Sequence, residues 1–120
     1  MKRTTAAFAI GFLAASALTD AKALSGTELY KACRQKDLSA GGLSCTAYVR
    51  GFVDGMTLGY LTGKKSPLLY CPPLDGIAAD QARLLVQKYL RDHPESLHLE
   101  AGNLAAEALT EAFPCPPRSD

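Results

Sequence analysis

Four stretches of the chain place apolar residues three and four apart, and no stretch shows the two-residue alternation of a half-buried strand. The first predicted helix is short, about Gly26 to Arg34, with Leu29, Tyr30 and Cys33 facing inward. Ser25 precedes it and Glu28 follows three residues later, the spacing of a capping box. A second helix is expected from about Cys45 to Leu61, capped by Ser44, with Val49, Phe52, Val53 and Met56 as its apolar stripe. Gly41-Gly42 places a loop before it, over 35–43. A third is expected from about Ile77 to His93, with Ala78, Ala82, Leu85, Val86, Tyr89 and Leu90 on one side, until Pro94 stops it. The fourth is expected from about Ser96 to Ala112, with Leu97, Ala101, Leu104, Ala105, Ala108 and Ala112 inward. Gly63, Pro67, Pro72 and Pro73 keep 62–74 as a connection. The pattern is that of an all-α bundle of about four helices.

The N-terminus changes how the cysteines are read. Lys2 and Arg3 precede an uncharged run from Ala6 to Leu18, and Ala21-Lys22-Ala23 supplies small residues at signal-peptidase spacing. The run is shorter than the roughly 20 residues a spanning helix needs. A buried amphipathic helix is the competing reading; an export signal over 1–23, cut after Ala23, fits the charge pattern better. Residues 24–120 then form one domain that carries Cys33, Cys45, Cys71 and Cys115, an even number in an exported protein and so two expected disulfides. Zinc is the alternative use of four cysteines, but no C-x-x-C pair exists and His93 and His98 lie at no finger spacing. No metal or other cofactor is expected. If short connections send the last three helices up, down and up, Cys33 and Cys45 share one end and Cys71 and Cys115 the other. That geometry selects Cys33–Cys45 and Cys71–Cys115 from the three possible connectivities.

Losing the leader leaves a net charge of about −1, too weak a field to attract nucleic acid or anionic lipid. Neither is an expected partner of the mature domain, nor is a membrane. Catalysis has little to work with. Oxidised cysteines are not nucleophiles, no serine stands in a G-x-S-x-G setting, and Glu107 and Glu111 read as ordinary surface charges one turn apart. His93 and His98 could form a pH switch or a metal pair; helix punctuation, with His93 closing the third helix and His98 opening the fourth, is preferred.

Two features point to binding. Ala47, Gly51, Gly55 and Gly59 recur every four residues and make a ridge almost free of side chains. Glycine in a helix costs about 1 kcal/mol against alanine, so the ridge calls for close approach of another backbone, either within the fold, the favoured reading, or across a homodimer. The segment Lys64, Lys65, Ser66, Pro67, Leu68, Leu69 and Tyr70 joins two cations to three apolar residues that look exposed. It is the first candidate for a partner-binding loop; Lys36 to Leu43 is the second. The bland alternative is that Leu68, Leu69 and Tyr70 cover the end of the bundle.

Leu29-x3-Cys33, Cys45-x-x-Tyr48-x-x-Gly51-x-x-Asp54-Gly55 and Cys71-Pro72-Pro73 occur in that order. Gln81, Tyr89-Leu90, His93-Pro94, His98-x-x-Ala101 and Ala108-Leu109-x-x-Ala112-Phe113-Pro114-Cys115 follow them. Together these resemble the type VI secretion amidase-immunity family, the Rap/Tai-type domain, over nearly all of the mature chain. The resemblance implies a small helical periplasmic protein, often a dimer, that binds a secreted peptidoglycan amidase and blocks its cleft without chemistry of its own. The matching positions are mainly glycines, cysteines and core residues, so they report fold more than target. A periplasmic stress or chaperone-like helical protein, or a subunit of an envelope assembly, is the alternative.

Overall fold

The structure, a computed structural model, describes residues 22–63 and 68–117. They form α1 (Gly26–Cys33), α2 (Ala40–Thr62), α3 (Ala79–Asp92), a 3-10 turn at Pro94–Ser96, and α4 (Ala101–Ala112). The expected all-α class and both expected disulfides are present, Cys33–Cys45 and Cys71–Cys115. All four sulfurs are therefore in covalent bridges. The expected export signal lies, except for Lys22 and Ala23, outside the described residues.

Eight residues are too few for a helix to persist alone, and α1 borrows support from both sides. Ser25 Oγ accepts from the Glu28 amide at 3.3 Å, and the Glu28 carboxylate accepts from the Ser25 amide at 2.8 Å. That bond, with a second from the Ser25 hydroxyl, holds the Glu28 carboxyl below the usual carboxylate range. The remaining first-turn amides reach across the fold. Gly26 N–H donates to Leu99 O and Thr27 N–H to Leu97 O, each at 2.8 Å.

Those two bonds explain a departure from expectation. The fourth helix does not begin at Ser96. Pro94 opens only a 3-10 turn, and residues 97–100 pass as a turn and a bend beside the start of α1, with a single bridge between Ser25 and Glu100. α4 starts at Ala101, whose amide donates to Leu24 O at 2.8 Å. His98 therefore sits in the link and not in a first turn, and its Nδ1–H donates to Glu95 O at 3.0 Å. His93 caps α3 as expected, with its Nδ1–H donating to Tyr89 O at 2.9 Å.

The second helix also begins elsewhere. Its N-cap is Ser39, whose hydroxyl accepts from the Gly42 amide at 3.1 Å; Ser44 instead donates to Ala40 O inside the helix. Gly41 and Gly42 are in the first turn and do not break it. A Cβ on Gly42 would overlap the Lys36 carbonyl, so glycine there lets the loop from α1 fold flat against α2.

Leu29, Val49, Val86, Leu90 and Leu104, the sulfurs of Cys33 and Cys45, and the small faces of Ala82, Ala101, Ala105 and Ala108 make one core. The alanine-rich α4 lets three helices converge on it. From α2 only Gly42, Cys45 and Val49 are fully buried. Phe52, Val53 and Met56 are half-buried, and apart from Met56 all residues from Asp54 to Thr62 are exposed. The second half of α2 thus stands largely clear of the body.

One buried residue was not expected. Arg83 on α3 has a side chain only 7 % exposed. It donates to Cys33 O at 3.2 Å and Gln35 O at 3.4 Å and pairs with Asp37 at 2.6 Å. Asp37 is 78 % exposed, so water screens that pair and the carbonyl bonds carry most of the effect. Arg83 therefore clips the loop after α1 onto α3. Arg83→Met should lower stability by about 1–3 kcal/mol in urea unfolding, and Arg83→Lys should not restore it, because a single ammonium lacks the fork that spans these acceptors. Full recovery by lysine would refute the clip.

Candidate functional site

The free half of α2 and the segment after it enclose a groove of about 220 Å³. One wall is α2, through Gly55, Met56, Thr57, Gly59 and Tyr60; the other is Leu68, Leu69, Tyr70 and Pro72. None of the described residues that line it is charged. Gly55 and Gly59 leave that side of the helix open, while Tyr60, Leu68 and Leu69 stand at the rim, all exposed.

The second wall is anchored to α4. Cys71 N–H donates to Phe113 O at 2.8 Å, Thr110 Oγ1 donates to Leu69 O at 3.1 Å, and the Cys71–Cys115 bridge locks the same junction. Gly76, at φ +83°, turns the chain back toward α3 in a backbone conformation glycine adopts without strain. A groove so braced needs little ordering when something enters it.

Of the residues expected to contact a partner, Leu68 and Leu69 lie on this wall and are 39 % and 49 % exposed. Tyr70 does not: it is 4 % exposed, a correction to the exposed-looking loop. Its ring packs inward below the rim, and burial, with a lesser push from the Asp54 charge, raises its phenol above the ordinary tyrosine range. Lys64, Lys65 and Ser66 lie outside the described residues. Tyr60, Met56 and Pro72 complete the groove and were not foreseen. Their signal was present in the sequence only as an apolar run past Asp54 with no facing stripe. In the second-choice loop, Leu38 is fully outward and Leu43 is exposed on α2.

The ridge reverses one expectation. Favoured as a seam inside the fold, it meets nothing there: a Cβ at Gly51, Gly55 or Gly59 would find no described atom within 4 Å. Ala47 is exposed as well. The close approach occurs instead at Gly26, against the backbone of Leu97 and the side chain of Leu104, and at Gly42, against the backbone of Lys36 and Asp37. Ala47 and Gly51 face out along a stripe that includes Leu43, Leu58 and Leu61, all exposed, and a salt bridge between Arg50 and Asp54 at 3.6 Å, while Gly55 and Gly59 open on the groove.

Elsewhere, Tyr89 donates to the Glu107 carboxylate at 2.6 Å and stacks on His93 with ring centroids 4.0 Å apart. The Glu107 bond, followed by burial, pushes the Tyr89 phenol up to about 12. A phenol held neutral favours the folded form up to the ordinary tyrosine range, and that benefit disappears as pH climbs from about 10 toward 12. Absorbance titration should show a last-ionising tyrosine that Tyr89→Phe removes; an unchanged last step would place it elsewhere. Among the described residues, no group of three or more His, Cys, Asp or Glu is arranged to hold a metal ion. None of their helices is long and apolar enough to cross a membrane.

No curated protein matches the chain. A family model does: that of the Rap1a immunity proteins, over residues 25–115. Those bounds run from the Ser25 cap to the last cysteine, so they take in all four helices, both bridges and both walls of the groove. The chain belongs to the Rap1a immunity protein family.

Proposed function

We propose that the protein is exported to the periplasm, with residues 1–23 removed, and there binds a secreted peptidoglycan amidase, seating part of the enzyme in the groove between α2 and Leu68–Pro72. It acts by occupying the enzyme, with no reaction of its own. The observation that carries this reading is a groove whose described lining is uncharged, braced by a disulfide, in a member of an immunity family. A rigid apolar cleft suits one folded partner, since the ordering cost of binding is already met in the free protein.

The test is inhibition of peptidoglycan digestion by secreted amidases of the same genome, assayed one at a time. One enzyme should be inhibited selectively. Tyr60→Ala and Leu69→Asp, both at the exposed rim, should weaken that inhibition tenfold or more and leave the melting temperature within about 2 °C, as surface changes do. Unaltered inhibition would move the contact off the groove. Suppressed aggregation of unrelated unfolded clients, without inhibition of any amidase, would instead favour a chaperone.

The outward stripe of α2 is proposed as the seam of a homodimer. Leu43, Ala47, Gly51, Asp54, Leu58 and Leu61 follow one another at three- and four-residue spacing, so they share a face. Crossed antiparallel on a two-fold axis near residue 52, two copies set Leu43 against Leu61 and Ala47 against Leu58. The same register sets Arg50 against Asp54, twice, as an isologous contact requires. Sedimentation should show a dimer that Leu58→Glu with Leu61→Glu converts to monomer. A wild-type monomer at 100 μM, a concentration on the order of that giving about −5.5 kcal/mol, would end this part of the proposal.

A further inference from the structure

The two bridges differ in what can reach them. Cys33 and Cys45 are each at 0 % exposure, packed under Leu29 and Val49 in the core. Cys71 and Cys115 are half-buried, and Cys115 leads directly into the exposed Pro116 and Pro117. Exchange requires a thiolate to approach a sulfur of the bridge, so access decides which of two disulfides reacts in a folded protein. What the reachable bridge holds is the groove wall of Leu68, Leu69, Tyr70 and Pro72, against the end of α4.

We propose that Cys71–Cys115 is a site of thiol–disulfide exchange with a dithiol, and that exchange there loosens the groove wall while the core bridge stays closed. The thiolate of the dithiol bonds to Cys115 Sγ as the Cys115–Cys71 bond breaks, and Cys71 leaves as thiolate and takes up a proton. The second thiol of the reagent then displaces Cys115, closing the reagent's own disulfide and freeing the second protein thiol. Two electrons pass from dithiol to protein, and the reverse sequence reseals the wall. Cys71 N–H to Phe113 O, Thr110 to Leu69 O and the burial of Tyr70 are then left to hold the wall without the bridge, and these contacts open and re-form more often. The wall therefore opens locally and the helices stay folded on the Cys33–Cys45 side. None of this depends on what the groove binds.

The test uses the oxidised full chain without denaturant. Dithiothreitol is added, samples are quenched with iodoacetamide, and each cysteine is followed by peptide mass mapping. Cys71 and Cys115 should be alkylated at least tenfold faster than Cys33 and Cys45. In the species with two free thiols, hydrogen exchange at the Cys71 amide should accelerate at least tenfold, with the amides of Leu29 to Cys33 unchanged. Equal labelling of all four, earlier labelling of Cys33 and Cys45, or resistance of both bridges would overturn the assignment. Unchanged protection of the Cys71 amide after reduction would overturn release of the wall.

Discussion

Replacing Gly51, Gly55 and Gly59 together by alanine should stabilise the isolated chain by about 2–3 kcal/mol and raise its melting temperature by about 10 °C or more. Each glycine leaves helix propensity unused, about 0.8–1 kcal/mol against alanine. At none of the three would the new methyl meet a described atom within 4 Å, so no steric term opposes the gain. Gly59 lies one turn from the end of α2 at Thr62, where fraying trims its share, which sets the lower bound. The sites share no side-chain partner, and their effects should add. The measurement is urea unfolding extrapolated to low protein concentration, where association contributes nothing. A loss of stability would mean that something in the chain does cover the ridge.

The same variant bears on function. A helix that carries three glycines with no described atom packed on them is giving up stability that a single mutation step at each could recover. If the stripe is a seam between copies, the methyl at Gly51, which lies on it, pushes the helices apart, and the dimer should weaken even as each chain becomes more stable. Opposite signs for folding and association, read by unfolding and by sedimentation, are the signature of an intermolecular ridge.

Gly42→Ala should do the reverse within the same helix, lowering stability by about 2–3 kcal/mol and the melting temperature by about 10–15 °C. The added Cβ overlaps the carbonyl group of Lys36 and crowds that of Asp37, which are backbone and not the movable tip of a side chain. The loop cannot retreat. Cys33–Cys45 ties its two ends together, and Arg83 holds the carbonyls of Cys33 and Gln35 from the far side. The helix-propensity gain of alanine, about 1 kcal/mol, is outweighed. Urea unfolding decides the matter, and a neutral result would mean that the loop between α1 and α2 yields despite both ties.

These two substitutions mark where sequence reading succeeds and where it fails. The pairing of the cysteines was legible because helix caps, prolines and short connections already assign each cysteine to one end of a bundle. The stripes of α3 and α4 were largely legible too: Ala82, Val86, Leu90, Leu104, Ala105 and Ala108 are all buried. Arg83 was not, since a guanidinium in a helical stripe reads as solvent-facing until carbonyls from another element come within its reach. The start of α4 was misplaced for a related reason. Residues 97–100 could extend a helix, but they gain more by accepting the orphan amides of α1, and those amides belong to a segment 70 positions away. Half of the groove was visible in Leu68 and Leu69; the α2 half was not, because Met56 and Tyr60 look like ordinary members of a buried stripe.

The linear order of residues was thus enough to set the helical class, the inward faces and the cross-links, because periodicity, capping and chain stops are local and each acts within a turn or two. Three-dimensional packing alone settled which glycines are pressed and which are bare. Gly42 and Gly55 are the same residue in the same helix and differ only in what other parts of the chain bring beside them. That distinction, a matter of distance between segments far apart in sequence, turns an expected internal joint into an open face and places Leu68 and Leu69 of the expected binding loop on one wall of a groove.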